Sequence, residues 1–188
     1  MSKIRFGVKN LKYSKITYSG STEVYGGYVD IPGAKSISLS PAGESMTEYA
    51  DDSIWYSSDV NNGYTGNAVV EELPVSFLKD IFGMIEDSNG ALFESDKDTR
   101  SEFALAGEFT YDGDSSINGK RFCLFRNVAT RPDVTATGKQ KSITVDTETM
   151  NFTTLPRKSD GMVKATAVST DSAYTTWFDA VVVKTITT

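Results

Sequence analysis

Hydrophobic positions in this chain recur at every second residue in short runs separated by clusters of Gly, Asn, Asp and Pro, a pattern of strands with one buried face. Ile4, Phe6 and Val8 alternate with Arg5, Gly7 and Lys9, which predicts a first strand with those three apolar side chains inward. Residues 24–40 read as a hairpin or bent strand, with Ile37 and Leu39 alternating against serines. Residues 103–111 (FALAGEFTY) and 120–126 (KRFCLFR) predict a hairpin pair, joined by the turn-forming residues of DGDSSING. Residues 142–154, 162–168 and 180–186 are expected to be further strands.

The period changes once. In residues 74–85, Phe77, Leu78, Ile81, Phe82 and Ile85 fall on one stripe of a helix that starts at Pro74, with Gly83 inside it and an end near residues 87–90. Such a helix leans on packing, since Gly83 costs about 1 kcal/mol relative to alanine, and it should cover one face of a sheet. Residues 170–178 suggest a short helical turn. The fold class is therefore mainly β, a single domain over residues 1–188 with one flanking helix.

Residues 42–62 fit neither a core strand nor a free linker. Glu44, Glu48, Asp51, Asp52 and Asp59 stand there without a positive charge, among Met46, Tyr49, Ile54, Trp55 and Tyr56. A stretch this long is usually functional or disordered, and aromatics among acids favour an ordered contact loop or extended hairpin over an ordinary strand-loop-strand. Charge follows the same division. The net charge is −6, yet residues 44–114 carry 17 acidic and three basic residues, whereas the rest carries eight and 16. Lys3, Arg5, Lys9, Lys12 and Lys15 open the chain without an acid, an asymmetry suited to head-to-tail association.

Composition removes most of the catalytic menu. The chain has no histidine, so Ser-His-Asp and Cys-His sites and histidine-ligated metals are excluded. The one cysteine, Cys123, lies between aromatics and reads as a buried thiol. The neighbouring pairs Asp51/Asp52, Glu71/Glu72 and Glu86/Asp87 would point to opposite faces of a strand and read as solvated surface, with no sign of a two-carboxylate cleft. Residues 112–119 lack the spacing of a calcium loop, and no glycine cluster continues into a phosphate-binding Gly-Lys-Ser/Thr. Neither a signal peptide nor a membrane span is expected. No enzyme activity, cofactor or metal is expected.

The sequence resembles the major tail (tail-tube) proteins of long non-contractile-tailed bacteriophages, especially those of Gram-positive hosts. The resemblance is carried in order by FGVKNLKYS (6–14), IPGAKSISLSPAGE (31–44), YADD (49–52), NNGYTG (61–66), PVSFLKDIFG (74–83), FALAGEF (103–109), RFCLFRNVATRP (121–132), TETMNFTTLPRKSDGMVKA (147–165) and AYTTWFDAV (173–181). It implies a β-sandwich or half-barrel flanked by the 74–85 helix. It further implies a virion structural protein whose partners are itself, in homo-hexameric rings stacked head to tail, the tape-measure protein and the tail terminator and initiator proteins. DNA would pass through the lumen without specific binding, and part of the acidic surplus is expected to face that lumen. Assembly would take place in the bacterial cytoplasm. The inter-ring contact falls on residues 42–62, with Glu44, Glu48, Tyr49, Asp51, Asp52, Trp55, Tyr56 and Asp59 as its contact residues; the sheet-packing helix contributes Phe77, Leu78, Ile81, Phe82 and Ile85. Alternative readings are the tube of a phage-derived bacteriocin and an extracellular carbohydrate- or protein-binding β-sandwich.

Overall fold

The computed structural model describes residues 4–112, 117–133 and 146–184. Its strands are β1 (Ile4–Ser19), β2 (Thr22–Tyr25), β3 (Val29–Asp30), β4 (Ser36–Pro41), β5 (Ser45–Ala50), β6 (Ser53–Asp59), β7 (Tyr64–Val70), β8 (Ile85–Glu86), β9 (Leu92–Phe93), β10 (Phe103–Asp112), β11 (Gly119–Ala129), β12 (Glu148–Thr154) and β13 (Lys164–Val168). The main sheet is antiparallel in the order β2-β1-β10-β11-β12-β7-β4, with β3 also on β1 and β13 also on β11. β11 forks: residues 120–124 pair with β13, and residues 127–129 pair with β12.

Strand alternation in β10 and β11 sorts their side chains into two cores. Phe103, Leu105, Phe122 and Leu124 enter the larger core, and Ala104, Ala106, Cys123 and Phe125 enter a smaller one with Trp177. Both faces are covered, which is why these runs read as almost continuously apolar. The small side chains of Ala104 and Ala106 leave room for the indole of Trp177, whose Nε1 donates to the Phe122 carbonyl at 3.3 Å. Cys123 is fully buried, 3.6 Å from the Tyr28 hydroxyl, and burial pushes its thiol pKa up to about 12.

The larger core is closed by one helical segment of eight residues, an α turn (Val75–Phe77) running into a π turn (Leu78–Phe82). Phe77 meets Tyr13, Phe103 and Phe82 edge to face at centroid distances of 4.9, 5.4 and 5.8 Å, and Ile81 is fully buried beside them. Leu78 packs on the rim of the same core. Tyr13 donates its hydroxyl to Asp80 at 2.9 Å, tying the helix to β1. The helix is shorter than its apolar stripe predicts. Gly83 adopts φ +80° and ends it, and a Cβ there would sit 2.9 Å from the Thr99 carbonyl. Ile85 therefore leaves the stripe, enters β8 and is 66% exposed.

Two further expectations are corrected. Ile4 and Phe6 are 66% and 52% exposed, because bulges at Gly7 (φ +70°) and Asn10 (φ +53°) shift the register of β1 on β10. Arg5 is exposed as well, its guanidinium 4.9 Å from the Phe109 ring, and the buried part of β1 begins at Leu11. Residues 180–184 form no strand: after a short helix (Ser172–Thr175), Trp177 and Val181 tuck into the smaller core and leave no ladder to join. Residues 185 and 186 of that expected strand, residues 142–145 of the strand expected over 142–154, and residues 113–116 of the β10–β11 turn lie outside the described residues. The 24–40 segment is divided among β2, β3 and β4.

At the β11 fork, the buried Asn127 replaces missing ladder bonds. Its amide donates to the carbonyls of Phe103 (2.9 Å) and Leu124 (3.0 Å), and its oxygen accepts from the Thr154 hydroxyl at 2.6 Å. Asn127→Ala orphans all three partners. It should destabilise the chain by about 2–4 kcal/mol in urea unfolding monitored by circular dichroism.

Candidate functional site

Residues 42–62 form a two-stranded ribbon. Its root is fixed by backbone hydrogen bonds between Ala42 and Gly63, and between Asn62 and Ala42, each 2.9 Å long. Gly63 is required there: it has φ +101°, and a Cβ would come within 1.9 Å of the Thr154 carbonyl oxygen. β5 and β6 then pair from Ser45↔Asp59 to Ala50↔Ser53. Asp51 and Asp52 make the connection with φ of +52° and +58°, the left-handed pair that a two-residue hairpin turn needs. Aspartate tolerates that region better than most residues. The Ser53 hydroxyl donates to the Ala50 carbonyl at 3.1 Å and braces the turn.

The ribbon leaves large apolar side chains in water on both faces. Register places Tyr49 opposite Ile54 on one face, and Met46 and Tyr56 on the other, with Trp55 at the bulge between the Glu48–Tyr56 and Tyr49–Ile54 pairs. Tyr49 and Trp55 are 72% and 73% exposed, and Met46, Ile54 and Tyr56 are more than half exposed. Glu44, Glu48, Asp51 and Asp52 are also exposed, and Asp59 is the last residue of β6. The structure thus gathers the expected contact residues onto one projecting element, with the four exposed acids along it.

The other predicted groups take structural places. Phe77, Leu78, Ile81 and Phe82 pack in the larger core, whereas Ile85 does not. Lys9, Lys12 and Lys15 are met within the chain by Glu108 (3.2 Å), Asp30 and Asp80 (4.0 Å), which composition alone did not reveal. Glu108 is a buried acid and Glu102 a half-buried one. Burial tends to raise both carboxyls, but hydrogen bonds from Arg121, Lys9 and Tyr174 to Glu108, and from Arg126 and Tyr18 to Glu102, hold them below the usual carboxylate range. Glu86 pairs with Lys79 at 2.7 Å, and Asp87 accepts the amides of Ala91 and Asn89 in a turn. No cluster of three or more metal-ligating side chains occurs among the described residues, nor does any helix long and apolar enough to cross a membrane. The left-handed Asp pair and the bulge at Trp55 had no clear signal in the sequence, since Asp-Asp is not a customary hairpin turn.

No family model matches the chain, and no curated protein matches it. The turn itself is open to test. Asp52→Gly creates the favoured Asp-Gly turn and removes one of two adjacent carboxylates, so amide hydrogen exchange at residues 48–56 should slow several-fold while the melting temperature stays within a few degrees.

Proposed function

We propose that this chain is a structural subunit of a tube built from stacked hexameric rings, of the kind that forms the tail of long non-contractile-tailed bacteriophages. The observation that carries the reading is the ribbon of β5 and β6, apolar on both faces and acidic along its length. An isolated two-stranded ribbon is marginal in water, and one with exposed aromatics on each side gains most by being covered on both sides. Neighbouring subunits supply such cover. The sheet supports the same reading: among the described residues, strands β2 and β4 end the ladder order with one edge unpaired, and open edges invite pairing with another chain. A half-barrel that curls β4 toward β1 would place those edges at subunit boundaries.

A contact between two different patches of one chain, repeated around an axis, closes a ring; repeated along the axis, it extends a filament. The proposed role is mechanical and electrostatic, with no reaction to catalyse. Acidic side chains facing the lumen would repel phosphates and let DNA pass, whereas a basic lining would retain it through counterion release.

Negative-stain electron microscopy of the purified chain at rising concentration should show hollow tubes or hexameric rings. Removing residues 51–59 should leave a folded domain, with its melting transition retained, that forms neither. Normal tubes from that deletion would overturn the role given to the ribbon. A monomer at every concentration, with a saccharide or protein ligand on the aromatic ribbon, would instead favour a binding module.

A further inference from the structure

The acidic ribbon has a counterpart on the same chain. β1 and β4 face each other across an open cleft of about 370 Å³, extended toward residues 7 and 36 by a further 170 Å³. Its cations come from four strands or their flanks: Arg5 of β1, Lys35 before β4, Lys120 of β11 and Lys164 of β13. Its floor is aromatic. Phe109 lies under the Arg5 guanidinium, and Tyr64 lies 4.4 Å below the Lys164 ammonium while accepting its hydrogen bond at 3.0 Å. Among the described residues no carboxylate lines the cleft, although Glu71 approaches Lys35 from beside it at 3.9 Å.

We propose, building on the tube reading, that this cleft receives the ribbon tip of a second copy of the chain. Glu48, Asp51 and Asp52 would meet Arg5, Lys120 and Lys164, and Tyr49 or Trp55 would lie on the aromatic floor. Charge complementarity is the argument: the ribbon has no cation, the lined cleft has no anion, and both carry aromatic surface. Reach allows it. Asp51 lies nine residues along the chain from Ala42, so the tip can stand up to about 30 Å beyond the sheet. Pro41 and Tyr64, at the ribbon's root, also line the cleft, so each subunit receives one ribbon close to where its own departs. Tip and cleft are different patches, which makes the contact head to tail and leaves each added copy ready for the next.

Sedimentation velocity on full-length chains tests this. Reversing the ribbon (E48K/D52K) and reversing the cleft (R5E/K120E) should each weaken self-association at least about ten-fold, and combining them should restore most of it. Circular dichroism confirms folding of each variant; should R5E/K120E unfold, R5Q/K120Q takes its place and should lose association in part. A second readout is cross-linking of a Trp55→Cys copy to a Lys120→Cys copy, with which the buried Cys123 does not compete. If ribbon reversal abolishes association while cleft reversal leaves it intact and no cross-link forms, the cleft assignment is overturned and the tube reading stands. If neither reversal changes association, the ribbon–cleft contact is overturned while the tube reading stands; if the unmodified chain never associates, both are overturned.

Discussion

Because β10 and β11 are covered on both faces, the rest of the molecule is arranged to supply that cover. On the larger-core side the helical segment, β1, β7 and β12 bring Phe77, Tyr13, Val70 and Met150 against Phe103 and Phe122. On the other side, Trp177 and Val181 are brought back over Ala104 and Ala106 by the chain that follows β13. Each buried apolar side chain contributes on the order of 1.5–3 kcal/mol, so a hairpin buried twice over is the natural centre of stability. The fork in β11 follows from serving two layers, and Asn127 satisfies the backbone groups that the fork would otherwise strand.

The ribbon of β5 and β6 obeys the opposite rule. It is tightly specified at its root and turn, yet almost nothing shields its aromatics. In the proposed tube, a segment fixed at its root and turn and left so exposed meets a neighbouring subunit. Its carboxylates exclude acidic partners and favour a cationic one, and the cleft between β1 and β4 offers that surface on a copy of the same chain. Lys9, Lys12 and Lys15, which follow Arg5 along β1, are held by acids of their own chain.

Much of this was legible in the sequence. The FALAGEFTY and KRFCLFR runs announced the central hairpin, the Phe77–Phe82 stripe announced the covering helix, and acids among aromatics marked the ribbon. What escaped depended on single backbone torsions or on distant partners. Gly83 was compatible with a helix interior, and only its left-handed conformation released Ile85 to the surface. The alternation of Ile4, Phe6 and Val8 looked like a buried face, but with two bulges in β1 the burial begins only at Leu11. The cleft was invisible along the chain because its cations are spread from residue 5 to residue 164 and are assembled only by strand order.

The exposed indole offers the most direct test that the ribbon is an assembly contact. The chain has two tryptophans, Trp177 at 2% exposure and Trp55 at 73%, so Trp55 dominates quenching by acrylamide in the dilute protein. As concentration rises through self-association, the account predicts a blue-shifted emission and loss of that quenching, both absent in Trp55→Phe. Assembly that proceeds while Trp55 stays fully open to quencher would contradict it.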